Sequence, residues 1–261
     1  MNSTVMELWQ RRELLYTIAW REIRVRYKQS VMGLFWAVFM PLMIVAAGII
    51  VRIAMATVSG GNIDVDDLAT VTVKALPWAF FVSAMKFGTN SLVGNSNLVS
   101  KIAFPKMIFP LSAVLASGVD MAVASTILLV VLPIAKVPVA LSWLLVPVLL
   151  FLLFVLTAGI TIVLSAANLF FRDVKYLIEV VLTFAIFFTP VLYDVDALGR
   201  WSTLIMLNPV APLLEGLADC LVRGQLPDLG WLLYSAVAAL GVAGLGIPFF
   251  ARLEPLFAET V

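Results

Sequence analysis

The sequence predicts an all-α integral membrane protein: six transmembrane helices, an N-terminal amphipathic interfacial helix, and short half-inserted external helices between the fifth and sixth spans. Three observations carry that expectation. Hydrophobic residues make up 62% of the chain and charged ones 13%, where soluble domains run near about a half and about a quarter; mean hydropathy is +1.07. The apolar runs have the length of membrane helices, not of the short alternating strands of a barrel. Ahead of the first run lies a cationic, aromatic-studded stretch at 20–33, Trp-Arg-Glu-Ile-Arg-Val-Arg-Tyr-Lys-Gln-Ser-Val-Met-Gly.

On a helical wheel Tyr16, Trp20, Ile23 and Tyr27 share one face, the spacing of an amphipathic helix. Arg21, Arg24 and Lys28 flank that face on one side and Arg26 on the other. Long cationic stems rest on lipid while their heads reach phosphate, and Trp and Tyr suit the headgroup layer. Residues 1–30 are therefore expected along the inner membrane surface, with 31–261 forming a single transmembrane domain. The alternative, an ordinary solvated helix, leaves its aromatics exposed for no gain. No cleavable leader is expected, because a charge-rich segment precedes the first apolar run and that run is a full span.

The first span is expected at 31–55, with a kink at Pro41. A polar stretch at 59–74 follows, carrying Asp64, Asp66 and Asp67. The second span, 76–94, is interrupted by Lys86 and Asn90; a polar segment at 95–106 precedes the third, 107–132, with Asp120 near its middle. A hairpin turn at 133–138 leads to the fourth span, 141–167, and the fifth, 176–191, closes at Thr189-Pro190. The segment 192–229 is long for a connector. Within it, 197–207 and 212–222 read as two short amphipathic helices separated by Asn208-Pro209. Their half-insertion requires cover from protein or a water-filled cavity; the alternative is an external loop lying on the surface. The sixth span is expected at 230–250.

Orientation follows from the cations of the short loops. Lys101, Lys106, Arg172, Lys175 and Arg252 fall on the same side as the cation-rich N-terminal segment. Only Arg52, Lys74, Lys136, Arg200 and Arg223 fall on the other, alongside eight acids, among them Asp194, Glu215 and Asp219. Both termini are expected inside.

No enzyme constellation can be assembled. The chain has no histidine, one cysteine (Cys220) and a net charge of +1, so neither a zinc pattern, a disulfide nor a nucleic-acid surface is indicated. Catalytic and metal-binding residues are expected to be none. Lys86 and Asp120 are the deep ionisable residues, able to form a structural pair, with Lys86 otherwise snorkelling to the interface, or to serve transport. Lys175 and Glu179 are spaced for an i,i+4 pair. Phe35, Trp36 and Phe39 cluster on the first span, and Phe184, Phe187, Phe188 and Tyr193 on and just past the fifth. Such stripes serve lipid or core packing, or stack on the C–H faces of sugars and match acyl chains.

Several motifs together resemble the bacterial type-2 ABC exporter permeases, and most closely the branch exporting O-antigen, capsule and teichoic acid. They are 20–28 with Ser30 and Gly33, Lys101-Ile-Ala-Phe-Pro-Lys106, Asn168-Leu-Phe-Phe-Arg172-Asp173-Val, Thr189-Pro-Val-Leu-Tyr193 and Asn208-Pro209. The resemblance implies a homodimeric permease in the bacterial inner membrane, seated on two copies of a separate ABC ATPase. That ATPase would hold the ATP and Mg, leaving no cofactor in this chain. Asn97, Leu98, Ser100, Lys101, Phe104, Pro105, Arg172 and Asp173 would contact the ATPase. Arg21, Arg24, Arg26 and Lys28 would meet the lipid pyrophosphate. Phe35, Trp36, Phe39, Phe184, Phe187, Phe188 and Tyr193 would line the glycan pathway, and Trp201, Asn208 and Pro209 would belong to external gate helices. The implied function is export of lipid-linked polysaccharide, O-antigen first, with capsular polysaccharide, teichoic acid or a small lipid or drug as alternatives. A proton-coupled carrier would require no ATPase and would be expected to show inverted repeats. An intramembrane enzyme or scaffold is disfavoured by the missing acid/base set.

Overall fold

A computed structural model of the chain describes residues 10–28, 32–33, 35–59, 65–101 and 104–257. Regular structure among them is helical throughout: α1 (Arg12–Tyr27), α2 (Phe35–Ser59), α3 (Val65–Thr89), α4 (Ser91–Gly94), α5 (Ser96–Lys101), α6 (Ile108–Ala124), α7 (Leu128–Ile134), α8 (Val146–Phe170), α9 (Val174–Ala185), α10 (Ser202–Met206), α11 (Ala211–Ala218) and α12 (Leu229–Leu253). A 3-10 turn at Ser125–Ile127 carries α6 into α7. Among the described residues five segments are long and apolar enough to cross a membrane: Phe35–Ala54, Asp66–Thr89, Ile108–Ile134, Leu141–Phe170 and Leu229–Leu256.

The bundle is assembled around α3, which packs against α2, α6, α8, α9 and α11. Ala69, Val71, Val73, Ala75, Leu76, Trp78 and Phe80 are all buried along it. The helix begins at Val65, about ten residues before the expected span, so Asp66, Asp67 and Lys74 lie inside it and not in a polar loop. Asp67 and Lys74 do not end the helix because each finds an opposite charge from another element, and Asp66 is exposed in its first turn.

Small residues set the closest crossing. A Cβ on Gly159 of α8 would stand 2.8 Å from the Ala243 backbone nitrogen of α12, and one on Gly246 would stand 3.1 Å from the Gly159 carbonyl oxygen. In lipid, where no hydrophobic force drives helices together, such contact of backbones supplies much of the association.

The expected fifth span is shorter than foreseen. The α9 helix has 12 residues and continues as a three-residue 3-10 turn, Ile186–Phe188, reaching about 24 Å at the usual rise per residue against a hydrocarbon core of about 30 Å. Thr189 is extended, as a residue before proline prefers, and the helix stops there.

The ends of the bundle differ in character. At the near end, Ile18 of α1, Leu92 of α4, Met107, Phe109, Phe250 and Phe257 form one packed cluster. Lys106 N–H donates to Glu254 Oε1 at 2.7 Å, tying the α6 start to the α12 end. The far end gathers the end of α2, the start of α3, the 133–138 turn and the segment 189–228, with Ser142 Oγ donating to the Cys220 carbonyl at 2.9 Å.

Candidate functional site

At the near end α1 is a two-faced helix. Leu14, Leu15 and Ile18 join the packed cluster, while Tyr16 and Trp20 are exposed on the other side and stack with centroids 6.5 Å apart. The helix does not stand apart on the membrane surface. It packs along α6, and its end reaches Asp120, about 18 Å beyond the α6 start at 1.5 Å per residue. There Arg26 forms an ion pair with Asp120 and stands 3.8 Å over the Phe87 ring, and Tyr27 Oη donates to Asp120 Oδ1 at 2.8 Å. Burial, helped by that hydrogen bond, pushes the Tyr27 phenol above its ordinary value.

The four cations expected to meet pyrophosphate therefore have separate fates. Arg21 pairs with Glu22 at 3.3 Å and hydrogen-bonds the Asn95 side chain, joining α1 to the loop before α5. Arg24 lies 5.6 Å over the Trp20 ring. Arg26 is consumed by Asp120. Lys28 is exposed. The expected Lys86–Asp120 pair is not formed, since Asp120 has taken Arg26 and Tyr27. Lys175 likewise leaves Glu179 and stands 4.6 Å over the Tyr176 ring. Lys86 instead lines a pocket of about 390 Å³ with Arg26, Trp36, Phe87 and Asp120.

The expected ATPase contacts collect at this end. Asn97 and Ser100 are exposed on α5, whose last residue is Lys101, while Leu98 is half-buried. Phe104 stands 5.5 Å from Phe109, and Pro105 is buried beside it. Arg172 and Asp173 are exposed in the α8–α9 turn, which closes where Lys175 N–H donates to Asn168 Oδ1 at 3.1 Å. Ser30, which the resemblance used, lies outside the described residues.

The far end holds a charge network that the sequence does not advertise. Lys74 of α3 is fully buried, at 0% exposure. Its Nζ lies 2.6 Å from Glu215 Oε1 and 3.2 Å from Asp194 Oδ1, and it donates to the Tyr193 carbonyl at 3.3 Å. Arg52 of α2 pairs with Asp67 of α3 and, at 3.0 Å, with Asp194. Arg223 reaches Asp219 at 2.6 Å, Asp194 at 3.1 Å and Glu215 at 3.5 Å. Buried charges persist only when paired and hydrogen-bonded, and here two long helices pair with the 189–228 segment. Burial works to raise the Asp194 carboxyl, but Lys74, Arg52 and Arg223 together hold it below its ordinary value. Burial dominates at Glu215 and raises it, with Lys74 and Arg223 pulling back.

That segment contains the two short helices foreseen, with corrected shapes. The first is a 3-10 turn, Val195–Trp201, broken at Gly199 (φ +51°), followed by α10. The second, α11, is buried at every residue and ends in a π turn, Asp219–Arg223. Asn208 clamps the junction: its Nδ2 donates to Thr189 Oγ1 at 2.9 Å, and its Oδ1 accepts from Val210 N–H at 3.2 Å. The Pro209 carbonyl accepts from Ser235 at 2.9 Å, while Trp201 is exposed beside Arg200.

The two aromatic groups are not brought together within this chain. Phe35 and Trp36 are exposed at the α2 start, with Phe39 against both rings. Phe184, Phe187 and Phe188 are exposed at the α9 end, and Tyr193 Oη donates to the Phe187 carbonyl at 2.9 Å. One group sits at the near end and the other at the far end.

A helical bundle with five membrane-length helices among the described residues and charged short helices at its far end defines a multi-pass membrane protein. The chain belongs to the ABC-2 type transporter family, whose profile matches residues 13–222. It is similar to an O-antigen export system permease protein RfbA of Klebsiella pneumoniae, 28% identical over 252 residues that cover 95% of this chain and 94% of the relative. A second, from Myxococcus xanthus and bearing the same name, is 26% identical over 267 residues, spanning the whole of both chains.

Proposed function

We propose that the chain is the transmembrane subunit of an ATP-driven exporter. It moves lipid-linked polysaccharide, foremost the O-antigen of lipopolysaccharide, from the cytoplasmic to the outer face of the bacterial inner membrane. The observation that carries this reading is the end-to-end similarity to permeases named for O-antigen export. Two copies form the pathway, and two copies of a separate ABC ATPase, which holds the ATP and Mg, sit beneath. The near end, with both termini, faces the cytoplasm. There α5 and the exposed Arg172 and Asp173 receive the ATPase stroke. At the far end α9 completes a sixth crossing with the extended residues after it, and the 195–223 helices form the external gate, held by Lys74. The aromatic groups on α2 and α9 face the partner copy, so that glycan passes from one to the other. Catalysis is not assigned to any residue of this chain.

The test is reconstitution in proteoliposomes with and without the ATPase. ATP-dependent appearance of O-antigen on the far side, only when both subunits are present, is the expected result. Movement without the ATPase, or labelling that places the N-terminus outside, overturns it.

A further inference from the structure

We propose that the turn after α12, Glu254–Leu256 with Phe257, is a clasp that makes the two ATPase-facing loops move as one body, with Glu254 and Phe257 as positioning residues. The proposal rests on the export reading, which seats an ATPase against α5 and against Arg172 and Asp173, and adds to it the part that joins those two contacts. One loop runs from α5 through Phe104 and Pro105 into α6, the other from α8 into α9. The turn touches both. On one side Glu254 Oε1 accepts from Lys106 N–H at 2.7 Å, directly after Pro105; a hydrogen bond to a carboxylate is among the stronger kinds. On the other side the Phe257 ring, at 0% exposure, stands 5.8 Å from the Phe170 ring and 5.1 Å from the Phe250 ring, edge to face with both. Phe170 is the last residue of α8, two positions before Arg172.

The placement of Glu254 is unfavourable within its own helix. It stands at the end of α12, a helix of 25 residues, where the dipole favours a cation and opposes a carboxylate. What its charge gains comes from the loop across from it. Pro255 follows in the 3-10 turn and fixes the backbone there, so the carboxylate and the Phe257 ring are held in set directions. The link continues into each loop. Val99 of α5, Met107, Phe109 and Leu169 are buried in the same cluster as Phe257, and Asn168 Oδ1 holds the α8–α9 turn by accepting from Lys175 N–H. A push at either loop is therefore delivered to both α6 and α8 through one anchor on α12, which ties ATP hydrolysis to movement of the bundle.

The experiment uses the full chain with its ATPase partner. Backbone hydrogen exchange is followed by mass spectrometry in nanodiscs for Glu254→Ala and Phe257→Leu, and polysaccharide exported per ATP hydrolysed is measured in proteoliposomes. Exchange follows local opening, and losing a hydrogen bond to a charged acceptor should speed it at least about tenfold at 104–107 in Glu254→Ala. A clasp also requires the distant loop to respond: exchange should rise about fivefold or more at 169–173 in Glu254→Ala, and at 104–107 in Phe257→Leu. Polysaccharide moved per ATP should fall in both variants. Glu254→Gln keeps an acceptor for the Lys106 N–H and should restore most of both readouts. A rise confined to the loop that lost its own partner overturns the proposal, as does unchanged polysaccharide moved per ATP when both loops are loosened. If Glu254→Ala does not fold, Glu254→Asp, which keeps the charge on a stem one carbon shorter, is read in the same way. Loop exchange is measured without transport, so coupled loops in a complex that moves no polysaccharide with ATP count against the export reading alone. Export with loops that exchange independently counts against the clasp alone.

Discussion

Lys74 Nζ stands 2.6 Å from Glu215 Oε1, joining the most buried of the membrane-length helices to the short helix α11 across 141 positions of sequence. Asp194 and Arg223 close the ring around them. Truncating the lysine alone leaves the buried Glu215 carboxylate with only the longer, 3.5 Å contact to Arg223. Lys74→Met should therefore cost about 3–5 kcal/mol, the range for breaking a buried pair on one side. The double variant Lys74→Met with Glu215→Leu should recover more than half of that loss. Thermal unfolding of the four members of the cycle in detergent checks it, and equal losses in the single and double variants would contradict the pairing.

Asp194 gives the network an acid-sensitive edge. Its carboxyl is held below the ordinary value of 3.8 by Lys74, Arg52 and Arg223, against its burial. The folded chain thus binds this proton less readily than the unfolded one. The stabilisation is complete above about pH 3.8 and is lost as pH falls through the lower folded value. Glu215, raised from 4.5 by its burial, works in the opposite sense: its contribution is present in acid and lost as pH rises through the folded value. A melting profile against pH should fall on the acid side in the wild type, and this component should vanish in Asp194→Asn.

Gly159 is a second sensitive position, because a Cβ there meets Ala243 backbone and not a movable side chain. Gly159→Ala should destabilise by about 1–3 kcal/mol through forced separation of α8 and α12. Gly241, on α12, has nothing within 4 Å of an added Cβ, so Gly241→Ala should be neutral or slightly stabilising. Thermal midpoints of the pair in the same detergent decide the matter.

The apolar runs were legible because hydropathy is local: α2, α6–α7, α8 and α12 lie close to where the periodicity put them. The start of α3 was not. Asp67 and Lys74 read as part of a polar loop as long as their partners are unknown, and those partners, Arg52, Asp194 and Glu215, come from other parts of the chain. No spacing rule joins residues 141 positions apart. The same limit misdirected Asp120, which the sequence offers to Lys86 and the fold gives to Arg26. The short helices of the 195–223 segment were visible through Asn208-Pro209, yet the burial of α11 was not, since it looks amphipathic until Lys74 is placed beneath Glu215. The aromatic stripes were readable as patches, but only the lengths of α2 and α9 show that they sit at opposite ends.

The Arg26–Asp120 pair makes a prediction about α1 itself. If this contact, with Tyr27 beside it, is what holds the helix end against α6, Asp120→Asn should free that end while leaving the Leu14, Leu15 and Ile18 cluster seated. Hydrogen bonds to a charged group are worth about 1.5–3 kcal/mol each, enough to shift a two-position equilibrium by tenfold or more. A spin label at Ile23 and another at Val119 should then report a longer and broader distance distribution in Asp120→Asn than in the wild type. Exchanging the charges, Arg26→Asp with Asp120→Arg, should restore part of the short distance, because the Tyr27 hydroxyl cannot donate to an arginine. An unchanged distribution in Asp120→Asn would mean that the apolar cluster alone positions α1.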